Sequence, residues 1–148
     1  MVKELDESKD LPEHVGWLLW QANRAWLQDF VGAMPAAGHG WFSDARAALM
    51  GHIPRDGIRQ SALIERVGTS KQAVQQVLDG LEAEGVIARV PDPGDRRGRL
   101  VRYTDRGRAA LRDADRVKAE IERRYAQRIG PDRMAALAEA LRALGQGG

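Results

Sequence analysis

Apolar residues recur at helical spacing along most of this chain, and the pattern changes character near its middle. Between Leu11 and Val31 they do not form a single stripe. Leu11, Val15, Leu18, Ala22 and Trp26 make one line, while Trp17, Trp20, Leu27 and Val31 lie elsewhere around the cylinder. A helix that is apolar on several sides needs cover on several sides. Asp10-Leu11-Pro12-Glu13 offers a capping aspartate, an early proline and an acidic first turn, so the spacing predicts a helix over about 11–33. Pro35 to Gly40 is a breaker-rich loop. Ser43-Asp44 can then cap a short helix reaching about His52, with Ala45, Ala48 and Leu49 as its packing face. Pro54-Arg55-Asp56-Gly57 reads as a turn, Ile58 to Val67 as the next element, and Gly68 as a tight corner.

From Thr69 to Thr104 the pattern becomes more specific. Thr69 can cap a helix and Gln72 can return the bond as a capping box. Val74, Val77, Leu78 and Leu81 form its single apolar face, with Lys71, Gln72, Gln75, Gln76 and Asp79 opposite and Gly85 as its stop. A short apolar run (Val86, Ile87, Val90) leads to a turn-rich tip, Pro93-Gly-Asp-Arg-Arg-Gly-Arg99, and Leu100 to Tyr103 returns as a strand. A short helix, a glycine turn and a longer helix followed by a hairpin define a winged helix-turn-helix core over about 41–104. Thr104 caps a long helix carrying Leu111, Ala114, Val117, Ile121, Tyr125 and Ile129. After Gly130-Pro131-Asp132, Met134, Leu137, Ala138, Leu141 and Leu144 line a last helix, and Gly145 to Gly148 reads as a tail. The small winged core does not require either of these helices. With the first helix, they make a platform over about 11–33 and 108–144 on which a second copy of the chain can dimerise. The expected fold is therefore mainly α with a small β-hairpin wing: one domain, 1–148, with N- and C-terminal dimerisation helices.

Composition narrows the function. The chain has no cysteine, which excludes disulfides and thiolate metal sites, and its three histidines have no ligand spacing, so no metal or cofactor is expected. No apolar run nears the roughly 18 residues of a membrane helix. The opening Met-Val-Lys-Glu-Leu-Asp-Glu is too acidic for a targeting peptide, and a cytoplasmic location is expected. There is no Gly-rich phosphate loop, nucleophile–base pair or carboxylate dyad to suggest an enzyme. The net charge of +2 conceals an asymmetry: residues 86–108 hold seven arginines against three aspartates. Such a concentration suits a polyanionic partner, though a solvated loop can carry the same charge.

Three stretches resemble the MarR family of winged helix-turn-helix transcriptional regulators. Asp95-Arg96-Arg97-Gly98-Arg99-Leu100-Val101-Arg102-Tyr103-Thr104 is similar to the family's Asp-x-Arg wing followed by Leu-x-Leu-Thr. Leu78 to Ile87 resembles the end of its recognition helix, and Thr104 to Leu111 the start of its long helix. The order of elements fits over nearly the whole chain. The chain departs from the family at Gln76 and Gly80, where arginines are common, and at Tyr103, where leucine is usual. The resemblance implies a dimeric regulator, a repressor of a palindromic operator, that binds double-stranded DNA and is released by a small aromatic or anionic effector. A rival reading keeps the fold but uses it for protein–protein contact.

The candidate residues follow from side-chain chemistry. Glutamine can pair bidentately with adenine and lysine can meet guanine or phosphate, so Ser70, Lys71, Gln72, Gln75 and Gln76 are the recognition-helix candidates. A plain solvated face has the same composition. In the wing, Arg96, Arg97 and Arg99 offer planar cationic forks for phosphate or a narrow minor groove. By resemblance, Asp95 orients the guanidinium of Arg97; without that role the pair is a surface contact worth ~0–1 kcal/mol. The effector crevice implied by the resemblance would draw on His14, Trp17, Trp20, His39, Trp41 and Arg46, although tryptophans at helical spacing serve equally as core or interface.

Overall fold

The computed structural model describes residues 13–146, so the expected helix start at Asp10–Pro12, the polar residues 1–9 and the final Gly147-Gly148 lie outside the described residues. Glu13 and His14 are not helical, and α1 (Val15–Ala33) begins after an extended His14 whose side chain makes no cap. Gly145 and Gln146, expected in a tail, complete the last helix. α2 (Asp44–Met50) is capped as expected by the Ser43 hydroxyl, which accepts the Arg46 amide at 3.3 Å. Its buried residues are Leu49 and Met50, whereas Ala45 and Ala48 stay exposed beside a shallow apolar notch shared with Val67, Ala73 and Val77.

The segment expected as one element over 58–67 is two. Ile58–Arg59 forms the strand β1, and α3 covers Gln60–Val67. β1 exists because the hairpin made by β2 (Ile87–Asp92) and β3 (Asp95–Tyr103) offers it an antiparallel edge, with Ile58 opposite Val101 and Arg59 opposite Leu100. The sheet order is β1-β3-β2. Between α3 and α4 (Lys71–Ala83), Gly68 takes φ +72, and its amide bonds the Ile64 carbonyl. The cap of α4 is Ser70, which accepts the Ala73 amide at 3.1 Å. The expected Thr69–Gln72 box is thus replaced by a simple cap one residue on, because Ser70 takes the cap position and Ala73, three residues later, has no polar side chain to return the bond.

Leu63, Val74, Leu78 and Leu81 from the two helices pack with Val86, Ile87 and Val101 from the sheet into one buried core. Phe30, Met34 and Phe42 extend it towards α1. α5 (Asp105–Ile129) adds Ala110, Ala114 and Ile121, so the winged core does require the long helix, contrary to the sequence expectation. Only α6 (Pro131–Gln146) stands apart, with no buried residue. Tyr103, in place of the usual leucine, turns its hydroxyl inward to the carbonyls of Met50 and Ile53, each 3.1 Å away. Burial pushes its phenol up to about 12, and the hydroxyl ties β3 to the carbonyls at and just beyond the end of α2, of which that of Met50 also accepts the Ile53 amide.

One joint fixes the reading head on the long helix. The Thr104 amide donates to the Val86 carbonyl at 3.1 Å, while its hydroxyl donates to the Gly85 carbonyl at 2.6 Å and accepts the Gly107 amide at 3.0 Å. A β-carbon at Gly107 would lie 1.9 Å from that same Val86 carbonyl oxygen. Gly107→Ala is therefore expected to force α5 away from β2 and to destabilise the protein by about 1–3 kcal/mol or more. Gly32→Ala, on an open face of α1, should leave the melting temperature unchanged or slightly raised. Equal melting temperatures for Gly107→Ala and wild type would contradict the close approach.

Candidate nucleic-acid interface

α4 buries Val74, Leu78 and Leu81 and leaves Ser70, Lys71, Gln72 and Gln76 exposed, with Gln75 partly covered. The amphipathic pattern has thus been honoured: one stripe is spent on the core and the polar stripe faces outward. The wing differs from expectation in detail. Its tip is Pro93-Gly94 alone, since β3 already starts at Asp95. Pairing runs regularly from Ile87–Tyr103 to Pro91–Arg99, and then the register shifts so that Asp92 faces Asp95. Arg96, Arg97 and Gly98 are left looped out of the ladder. Asp95 does hold Arg97, but through the backbone: its carboxylate accepts the Arg97 amide at 3.0 Å. The expected orientation of the guanidinium by Asp95 is not what the structure displays, because an Asx-type turn takes the carboxylate first.

The seven arginines of residues 86–108 divide into two sets. Arg89 is a clamp: its guanidinium donates to Asp79 at 2.5 Å and to Glu82 at 3.2 Å, and its amide also bonds Glu82. It ties β2 to the outer face of α4. Arg106 reaches Glu84, and Arg108 pairs with Asp105 and the Tyr103 carbonyl. Arg96, Arg97, Arg99 and Arg102, by contrast, are exposed and form no ion pair among the described residues, nor does Lys71.

Lys71, Arg97 and Arg99 of this set converge. A groove of about 340 Å³ between α3, α4 and the wing is lined by Lys71 and Gln75 on one side and by Asp95, Arg97 and Arg99 on the other. Ser70, Gln72, Gln76 and Arg96 are exposed but do not line it. Arg59, Gln60 and Ser61 close it from the start of α3. The sequence reading missed these three, since only the non-local pairing of β1 with β3 brings them to the wing. At Gly80, where the resemblance led to an arginine, the space is filled from α2: a β-carbon there would lie 2.6 Å from Nη2 of Arg46.

The six residues expected to gather in an effector crevice are not brought together within this chain. Trp17 and Trp20 stack at 4.9 Å on the outer side of α1, in a shallow hollow whose other walls are Gln21, Arg24, Ala25 and Gln28. His14 is exposed ahead of the helix. His39 sits elsewhere, with Nε2 2.8 Å from Asp113 on α5 and its ring edge-on to Trp41. Arg46 donates to the Trp41 carbonyl at 2.7 Å. His39, Trp41 and Arg46 thus adjoin one another, apart from the Trp17–Trp20 stack, so the six do not form one crevice within this chain. The His39 bond, helped by Arg116 and Arg112, holds the Asp113 carboxyl below the usual range.

A helix-turn-helix whose second helix and arginine wing face one groove defines a winged helix-turn-helix protein. Residues 42–98 match the model of the MarR family. The chain is 30% identical over 86 residues to YdgJ of Bacillus subtilis, an uncharacterized HTH-type transcriptional regulator, and 29% identical over 83 residues to the transcriptional regulator HosA of Escherichia coli. These matches take in 58% and 56% of this chain, and span 52% and 62% of those relatives' length. The transcriptional repressor CouR, solved bound to a 23-mer DNA duplex, superposes with a TM-score of 0.72 at 25% identity, covering 99% of this chain and 100% of its own. Reduced MarR from Escherichia coli shares the fold with a TM-score of 0.76 at 19% identity, covering 91% of this chain and 98% of its own. The chain is thus similar to MarR-family regulators in sequence over its winged core and in fold over nearly its whole length.

The clamp between α4 and the wing gives a pH dependence. Hydrogen bonding to Arg89 holds the Glu82 carboxyl below its ordinary 4.5. A depressed carboxyl stabilises the fold above its unfolded pKa, and that stabilisation is lost as pH falls through the lower folded value. Thermal melts between about pH 3 and 6 should therefore show wild type losing stability below the ordinary value, and Glu82→Gln losing less of it. Parallel curves would mean that the pair adds nothing to the folded state.

Proposed function

We propose that the protein is a sequence-specific DNA-binding regulator that acts as a homodimeric repressor on a palindromic operator. The observation carrying this reading is the groove that sets Lys71 and Gln75 of α4 against the unpaired Arg97 and Arg99 of the wing. A helix of α4's size enters the major groove of a duplex, while flanking arginines suit phosphate or an adjacent minor groove. The match of residues 42–98 to the MarR family model and the likeness to CouR, solved bound to a DNA duplex, support the same partner. A winged helix used only for protein contact would gain nothing from leaving these cations unpaired.

Dimerisation is supported by the apolar surface that one chain cannot cover. Val15, Leu18 and Leu19 on α1 and Leu137, Leu141 and Leu144 on α6 are each about 40% exposed or more. Such a surface is rare on a monomer unless it is an interface. A two-fold pair would place the two α4 helices in half-sites separated by one helical turn or a multiple of it.

Two measurements check this reading. Sedimentation at micromolar concentration should give a dimer of the 16.3 kDa chain, and a species of monomer mass alone would remove the homodimer. Duplex affinity should fall steeply as salt rises. Within that binding, Gln75→Ala should cost about 1–3 kcal/mol on a selected operator and almost nothing on scrambled duplex. Equal losses on both would assign Gln75 to the backbone instead of a base, and salt-independent binding would favour the protein-contact reading.

A further inference from the structure

Arg59 occupies a position that an arginine serves poorly. It is the N-cap of α3 and makes no capping bond, where serine, asparagine or aspartate would stabilise the helix by about 1 kcal/mol. Its guanidinium is instead held by a residue that itself stands out. Asp92 is the one buried charged side chain among the described residues. One carboxylate oxygen accepts the Gly94 amide at 2.9 Å, and the other lies 2.9 Å from Nε of Arg59. Both oxygens are thereby fixed, and Gly98 packs against the Asp92 β-carbon from behind. The burial is one-sided: the Asp92 side chain is 5% exposed and that of Arg59 62%.

This asymmetry separates a contact from a simple structural pair. With Nε committed, the two amino groups of the guanidinium remain without a hydrogen-bond partner among the described residues. They border the groove that Lys71, Arg97 and Arg99 also line. Four cations against two carboxylates, Asp92 and Asp95, leave the groove with a positive excess that an entering polyanion would neutralise. Planar guanidinium forks are suited to phosphate oxygens.

We propose that Arg59 grips a backbone phosphate of the bound duplex, and that buried Asp92 is the positioning residue that aims it. This rests on the DNA-binding reading above and extends it to the start of α3, a third contact element beside α4 and the wing. The same carboxylate holds the wing tip through Gly94, so one group sets the spacing between the α3 contact and the looped-out Arg97.

The test is fluorescence anisotropy of the full-length chain with a labelled random-sequence duplex, at salt from about 50 to 200 mM. Arg59→Ala should weaken binding roughly tenfold at fixed salt and lower the log–log salt slope by about 1 per bound protomer. Arg59→Lys should keep the slope but recover only part of the affinity, since an ammonium is not aimed by Asp92. Asp92→Asn discriminates most sharply. Removing a negative charge beside a polyanion should tighten binding if charge alone matters, whereas loss of positioning should weaken it. On an Arg59→Ala background, Asp92→Asn should then add little. If wild type binds and Arg59→Ala binds equally with the same slope, the phosphate contact is overturned while the DNA reading stands. If Asp92→Asn binds more tightly, the positioning role is overturned. If wild type binds no duplex, both fall. The two Arg59 variants decide the phosphate contact even if Asp92→Asn fails to fold.

Discussion

Much of the architecture hangs on the carbonyl of Val86. It accepts the amide that starts the long helix, and it lies where any side chain at Gly107 would have to be. Three elements meet at that atom: the end of α4, the first strand of the wing and the N-terminus of α5. The Thr104 hydroxyl closes the joint by bonding the Gly85 carbonyl on one side and the Gly107 amide on the other. Because α5 continues for 25 residues towards the apolar platform, the angle fixed here carries through to how far apart two reading heads would stand. A small local displacement becomes a large one at the end of a rigid lever.

The reading head is braced twice more, each time by an arginine and a carboxylate. Arg89 holds β2 against Asp79 and Glu82 on α4, and Arg59 holds the wing tip through Asp92. The braces differ in kind. The first lies on the outer face, where an ion pair is screened and contributes modestly. The second has a buried carboxylate, which is costly to leave unpaired and so strongly favours one arrangement of the wing. Around these braces the remaining wing arginines have no ion-pair partner among the described residues.

The sequence made the helical skeleton legible because its signals are local. The single stripe of α4, the Ser43 and Thr104 caps and the breakers at Pro54 and Gly130 depend only on neighbours within a turn or two. Ser70, Lys71, Gln72 and Gln76 were legible as an exposed face for the same reason. What escaped was whatever depends on pairing distant segments. β1 is two residues long and is a strand only because β3 lies beside it; with it went Arg59 and its neighbours at the groove. The seven arginines between 86 and 108 look alike in sequence. They part into braces and free cations only once Asp79, Glu82, Glu84 and Asp105 are placed in space. The effector candidates divide for the same reason: His39, Trp41 and Arg46 meet around the loop after α1, while Trp17 and Trp20 stack on the outer side of α1.

All four tryptophans, Trp17, Trp20, Trp26 and Trp41, precede α2. None lies in α3, α4 or the wing. Optically the molecule is therefore divided: its tryptophan emission comes from the platform and the loop behind it, while the groove carries no indole. Trp17 and Trp20 add a feature of their own, for two indoles stacked at 4.9 Å and 14° are close enough for their transitions to couple. Their signal should report whatever covers the outer side of α1. Occupation of the groove would be visible in the native fluorescence only insofar as the long helix transmits it.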